Sequence, residues 1–221
     1  MIDEKSNLTT IDALIQRKQP FAVYRVPGEK YPRLLTEDVG AVRLIFDLKE
    51  LNGQRGFVIA PFRPNETCPI LLIQSNGPGQ PLLLADDADA VPRDIPSTDY
   101  PSCSEEYAEC FRTFISALRD KTFEKLVLSR KLTIGKPTAF SPSLAFRAAC
   151  QRYIHSYIYL CYTPQTGIWL GSTPEIILSG EKDDWHTVAL AGTQPLQDGK
   201  LPQVWDEKNP SPLTSVANSF H

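Results

Sequence analysis

The chain has 221 residues, 42% hydrophobic and 22% charged, which is ordinary globular usage and enough for one large domain or two small ones with a buried core. Lys and Arg number 23 against 26 Asp and Glu, a net charge of −3. Both signs are spread along the chain, so there is no basic footprint for nucleic acid or an anionic membrane. No stretch approaches the roughly 18 uninterrupted apolar residues of a membrane span, and the N-terminus MIDEKSNLTT is polar and acidic with no apolar h-region, which points away from secretion and towards the cytoplasm.

Five cysteines (68, 103, 110, 150 and 161) are odd in number and widely spaced, and the three histidines (155, 186 and 221) stand singly. A disulfide framework, a zinc site or a His-based metal site therefore has little support. Nineteen prolines, about 9% of the chain against a usual 5%, mark many loop boundaries between apolar runs.

Leu8 to Lys18 reads as a short helix, with Leu8, Ile11, Leu14 and Ile15 at helical spacing. Strand-like runs follow at Phe21–Arg25, Ala41–Phe46, Gly56–Ala60 and Ile70–Ile73. Gly28, Asn52-Gly53, Pro61 and the Asn76–Gly79 cluster break them. Residues 1–90 thus form a β-rich first portion. Residues 85–102, acidic and with three prolines, read as an exposed connector.

Ser102 to Glu105 matches a capping box, and Tyr107, Cys110, Phe111, Phe114, Ile115 and Leu118 lay one apolar face along a helix ending near Asp120. Phe123–Leu132 alternates as a strand, with Lys125, Val127, Ser129 and Lys131 on one face. Ser141 and Pro142 suit the N-cap and first position of a helix running to about Tyr153. Strands are expected at Ser156–Tyr162, Gly167–Leu170, Glu175–Leu178 and Thr187–Leu190. Closely spaced strands after a helix favour an α+β class, with antiparallel β-rich layers and outer helices. Trp205–Asn209 opens like a helix, yet Pro210 and Pro212 follow, and Pro inside a helix costs about 3 kcal/mol.

Neither a Gly-rich phosphate loop, a Gly-x-Ser-x-Gly elbow nor a His-Glu-x-x-His motif is present. Two ionisable residues stand in suggestive places. Burial of the Lys125 face would push the lysine towards neutrality and make it a usable base; a strand-edge lysine with its amine in water is the ordinary alternative. Glu175 leads into the apolar run Ile176-Ile177-Leu178, either as a functional carboxylate or as a solvated strand-start acid. The small residues Ala191 and Gly192, with the Thr193 hydroxyl, would let an anionic ligand approach backbone N–H groups; a plain turn is the simpler alternative.

Four segments taken in series resemble the chorismate-utilising enzymes, and within them the isochorismate synthases: Phe123–Arg130, Trp169–Leu178, Ala189–Thr193 and Trp205–Asn209. The resemblance is firm over about residues 100–209 and looser over Phe21–Arg25 and Gly56–Phe62. It implies the anthranilate synthase/chorismate-binding fold, with the first part of the catalytic domain at 91–209 and a non-matching tail at 210–221. It implies chorismate as substrate, Lys125 as the water-activating base and Glu175 as the acid. Ala191, Gly192 and Thr193 would meet the substrate, and Mg²⁺ would be the cofactor of the complete enzyme. Anthranilate synthases commonly bear Gln at the position of Lys125, and aminodeoxychorismate synthases Lys at that of Ala191, so both positions imply water as the nucleophile. Isochorismate synthase is thereby placed ahead of salicylate synthase, which shares the base and goes on to eliminate pyruvate. Menaquinone, siderophore and salicylate formation all draw on this step.

The resemblance places a metal-binding glutamate five residues after Glu207, where Pro212 stands, and a second beyond His221. The expectation is therefore a shortened or frameshifted enzyme, inactive alone and lacking its Mg²⁺ ligands, with sheet surface open to self-association. The alternative is a short protein that binds chorismate or a partner without turnover.

Overall fold

Phe21–Arg25 (β1) alternates so that each face meets a different apolar layer. Phe21 and Val23 point one way and Ala22 the other, and all three are fully buried. The computed structural model describes residues 6–36, 42–82, 105–131, 133–136, 138, 140–174, 178–181 and 184–186. They fall in two units, residues 1–87 with 141–221, and residues 88–140.

In the first unit β1 is the middle of a five-stranded sheet. It pairs with Arg33–Thr36 (β2) on one side and Tyr157–Thr163 (β7) on the other. Gln80–Pro81 (β6) adds beyond β2, and Gly167–Thr173 (β8) beyond β7. A second sheet sets Ile70–Gln74 (β5) between Arg43–Ile45 (β3) and Gly56–Ile59 (β4). A small hairpin joins Ser179–Glu181 (β9) to Asp184–His186 (β10). Every described pairing is antiparallel, as the α+β expectation requires. The large sheet draws strands from both sides of residue 90.

Two helices cover one face of that sheet, Ser6–Gln16 (α1) and Pro142–Arg152 (α3). Ile11 and Leu14 of α1 and Phe146 and Cys150 of α3 join Phe21, Val23, Ile158 and Leu160 in one core. On the opposite face Ala22 and Cys161 pack with Val42, Leu71 and Ile73 of the second sheet. A third cluster, Ile45, Ile70 and Leu72, lies under Leu51 of a 3₁₀ turn at Leu48–Leu51. Asp47 and Glu50 cap that turn reciprocally. Strands β1 and β5 are therefore apolar on both faces, which is why they read as continuous runs.

Caps fix the helices. Ser141 Oγ accepts from Leu144 N at the start of α3, and Pro142 takes the first position. Asp12 of α1 reaches across and accepts from Ser141 Oγ (2.8 Å), Ser143 Oγ (2.7 Å) and Ser143 N (3.3 Å). At the other end of α3 the buried Arg25 guanidinium donates to the carbonyls of Cys150 (2.6 Å), Tyr153 (2.5 Å) and Ser156 (3.2 Å). A cation there meets carbonyls that lack helical partners and the negative end of the helix dipole. Helix α1 ends on Lys18 in the left-handed region, φ +56°, with Gln19 N donating back to Leu14 O.

The second unit is built on Glu105–Arg119 (α2), which ends in the same way, on Lys121 at φ +56° with Thr122 N bonded to Ala117 O. No residue of α2 is buried, so its apolar face is only half covered. The strand expected at Phe123–Leu132 does not form: residues 125–131 have no regular structure, and Val127 is 77% exposed. Alternation supplies a face but no partner, and among the described residues no strand pairs with it. The capping box at 102–105 falls largely outside the described residues, and the connector at 85–102 and the strand at 187–190 wholly so. Sequence patterning also passed over β2, β6 and the β9–β10 hairpin, all short. Among the described residues no helix is long and apolar enough to cross a membrane.

Removing the two polar ties of α3 should cost unequal amounts. Arg25→Met removes the guanidinium from three carbonyls, of which Tyr153 O keeps Ser156 N as a donor, and should lower the stability by about 2–4 kcal/mol. Asp12→Ala, at the partly buried N-terminal tie, should lower it by about 1–2 kcal/mol. Urea denaturation followed by circular dichroism measures both.

Candidate functional site

Of the five residues singled out for chemistry, the structure describes Lys125. Glu175, Ala191, Gly192 and Thr193 lie outside the described residues. Lys125 is exposed, in the irregular stretch that follows α2. Further along, the Arg130 guanidinium stacks over the Tyr107 ring of α2 at 5.6 Å, tying the stretch back to its helix.

Strand β8 carries the chain to Glu175 and is held by β7 along its whole length, from Thr163 opposite Gly167 to Tyr157 opposite Thr173. Tyr159 faces Gly171 in this register. A Cβ on Gly171 would lie inside van der Waals contact with the Tyr159 ring, so the motif glycine makes room for an aromatic side chain crossing the strand. At the end of β8, Thr173 precedes Pro174 and the predicted acid. At the start of the strand Trp169 Nε1 donates to Thr166 O (3.0 Å), which fixes the indole on a side chain still 54% exposed.

Between β4 and the β7–β8 pair lies a cavity of about 730 Å³. Phe57, Tyr157, Tyr159 and Trp169 supply its aromatic walls, and Thr166 and Thr173 its hydroxyls. The rings are in mutual contact, Phe57 with Tyr159 at 6.0 Å and Tyr157 with Tyr159 at 6.4 Å between centroids. Burial pushes the Tyr157 and Tyr159 hydroxyls upward and the Cys161 thiol up to about 12. All three stay protonated near neutrality. The cavity's described lining therefore offers ring faces and weak donors, with no acid or base poised near pH 7. A second cavity, about 750 Å³ and more polar, opens where Arg55, Gln54 and Gln74 meet the loop 75–79. Gly79 turns that loop at φ +86°, and Tyr24 Oη donates to Pro78 O at 2.8 Å.

The described residues do not supply a magnesium site. Among them no group of three or more His, Cys, Asp or Glu could hold a metal ion. The pairing of Tyr159 with Gly171 escaped sequence reasoning, which read the glycine only as part of a motif. A glycine inside a strand is itself the signal for a close approach.

Antiparallel sheets with helices packed on one face make this an α+β protein, and its first unit carries an aromatic-walled cavity. The chain belongs to the chorismate binding enzyme family, whose model matches residues 85–204, more than half of the sequence. The match includes Lys125, Glu175, Ala191, Gly192 and Thr193. No curated protein and no solved structure matches the chain.

Two predictions follow from this geometry. Gly171→Ala should lower the stability by about 1–3 kcal/mol through overpacking, and much less in a Tyr159→Ala background, a coupling that a double-mutant cycle in urea reads out. The raised thiols of Cys150, pushed up to about 11 by burial, and Cys161 favour the protonated folded state. Their contribution is whole below the unfolded cysteine value near 8.5 and is lost as the pH rises towards 11–12. The urea midpoint should accordingly fall between about pH 8 and 10.5, with a shallower slope in Cys161→Ala.

Proposed function

We propose that this chain binds chorismate in the manner of an isochorismate synthase, with water as the attacking nucleophile. The observation that carries the reading is the pair Lys125 and Ala191, both inside the family match. A lysine at the first position suits activation of water, and a small residue at the second leaves no amine to attack in its place. In the transposition an oxygen–carbon bond forms at C2 of the ring as Lys125 takes a proton from water. The C4–oxygen bond breaks as Glu175 protonates the departing hydroxyl, so that water is both consumed and released. Residues as small as Ala191 and Gly192 would let backbone N–H groups reach a substrate carboxylate, and Thr193 would add a hydroxyl. Pro212 stands where the resemblance puts a metal-binding glutamate, so we expect the isolated 221-residue chain to bind chorismate without measurable turnover.

Thermal denaturation with chorismate, together with chromatography of chorismate incubated with the chain and Mg²⁺, tests this reading. The expected result is a melting temperature that rises with chorismate concentration and no isochorismate. Formation of isochorismate would overturn the expected inactivity while supporting the transposition, and Lys125→Gln should then reduce its rate by about 10²–10⁴-fold. Release of pyruvate, or anthranilate when ammonia is supplied, would overturn the transposition itself. Absence of any melting shift would overturn chorismate binding by this chain.

A further inference from the structure

Strand β7 turns Ile158 and Leu160 towards the helices and Tyr157 and Tyr159 to the opposite side, where both line the aromatic-walled cavity beside β4. Their ring centroids are 6.4 Å apart. Burial raises the hydroxyls of three tyrosines in this region, Tyr24, Tyr157 and Tyr159. Tyr24 has its acceptor, Pro78 O at 2.8 Å. The hydroxyls of Tyr157 and Tyr159 have no hydrogen-bond partner among the described residues, and neither is sealed from solvent. Alternate positions of one strand thus set two unmatched phenol donors side by side on the wall of a single cavity.

The rest of the wall decides what could meet them. Phe57 and Trp169 add ring faces, and Trp169 Nε1 is already bonded to Thr166 O. Lys, Arg, His, Asp and Glu are all missing from the described lining. A carboxylate moved here would give up its hydration with no cation to replace it, a cost of several kcal/mol. An uncharged ring gives up little, and an acceptor atom on it would take a hydrogen bond from either phenol. The volume, about 730 Å³, is in the usual range of small-molecule sites. Chorismate, with two carboxylates, is the wrong ligand for such a wall.

We infer that this cavity binds an uncharged planar molecule bearing a hydrogen-bond acceptor such as a carbonyl, its ring against the aromatic walls and its acceptor met by Tyr157 or Tyr159. The site is separate from that of chorismate and uses neither Lys125 nor Glu175.

Benzamide, benzoate and toluene test the assignment, since they share a ring and differ in acceptor and charge. In a Trp185→Phe/Trp205→Phe background the emission of Trp169, the tryptophan left, reports occupancy of the cavity. The expected result near neutral pH is a saturable change with benzamide, with benzoate binding at least about 10-fold more weakly. Tyr157→Phe and Tyr159→Phe keep the rings and remove the donors. At least one of them should weaken benzamide by about 3–10-fold and leave toluene unchanged. Saturating chorismate should leave the benzamide titration as it was. The assignment is overturned if benzoate binds as tightly as benzamide, if both phenylalanine variants bind benzamide like their parent, or if none of the three compounds gives a saturable change. In the last case, dimerisation on sedimentation would identify a second copy of the chain as what covers the cavity. Displacement of benzamide by chorismate would also overturn it, while leaving the functional reading in place. A chain that ignores chorismate overturns the functional reading, yet leaves the benzamide comparison able to decide this one.

Discussion

The contact between Arg25 and the last turn of α3 sets the frame on which the first unit is built. Arg25 ends β1, and its guanidinium reaches the carbonyls of Cys150, Tyr153 and Ser156, just before β7 begins at Tyr157. One buried cation thus completes a helix terminus, and the chain leaves that terminus next to the strand with which it must pair. With Arg25 opposite Ile158, the register of β1 on β7 places Phe21 and Val23 under the helices and Ala22 against the second sheet. A slip of one residue would exchange these faces and put Arg25 into the opposite core.

The same strand pair also shapes the aromatic-walled cavity. Because β7 is fixed by β1, its alternate residues Tyr157 and Tyr159 project towards β4, away from the helices, and β8 inherits the register that sets Gly171 beneath Tyr159. The aromatic wall is therefore a consequence of sheet geometry. Its chemistry follows from burial: tyrosine hydroxyls and the Cys161 thiol that remain protonated, suited to holding a ligand between ring faces and unsuited to moving its protons.

Elements that carry their own local signals were legible in the sequence. Strand β1 appears at the expected residues, and α3 starts at its Ser-Pro cap; helix periodicity placed α1 and α2 to within two or three residues. What escaped depends on partners distant in sequence. Strand β2 carries too few alternations to stand out, and β6 is two residues long. Phe123–Leu132 shows the converse, a strand pattern without a neighbour to pair with. Lys125 could be named from the motif around it, whereas its exposure could not, because burial is set by whatever packs on the alternating face. Arg25 could be placed at the end of a strand from the sequence, whereas only the fold reveals that its guanidinium reaches a helix terminus.

The placement of β1 between β2 and β7 carries a cost in time. Its partners on one side are synthesised almost at once, but those in β7 follow about 130 residues later, so at ribosomal speeds of roughly 5–20 residues per second the strand waits on the order of 7–30 s with one edge unpaired. Throughout that interval Phe21 and Val23 lack the α3 side of their core, and the Arg25 guanidinium lacks its helix terminus. Long-range pairing of this kind is slow to form even in a finished chain. The nascent protein therefore presents an apolar strand edge for seconds, the condition under which chaperone binding and aggregation compete for the same surface.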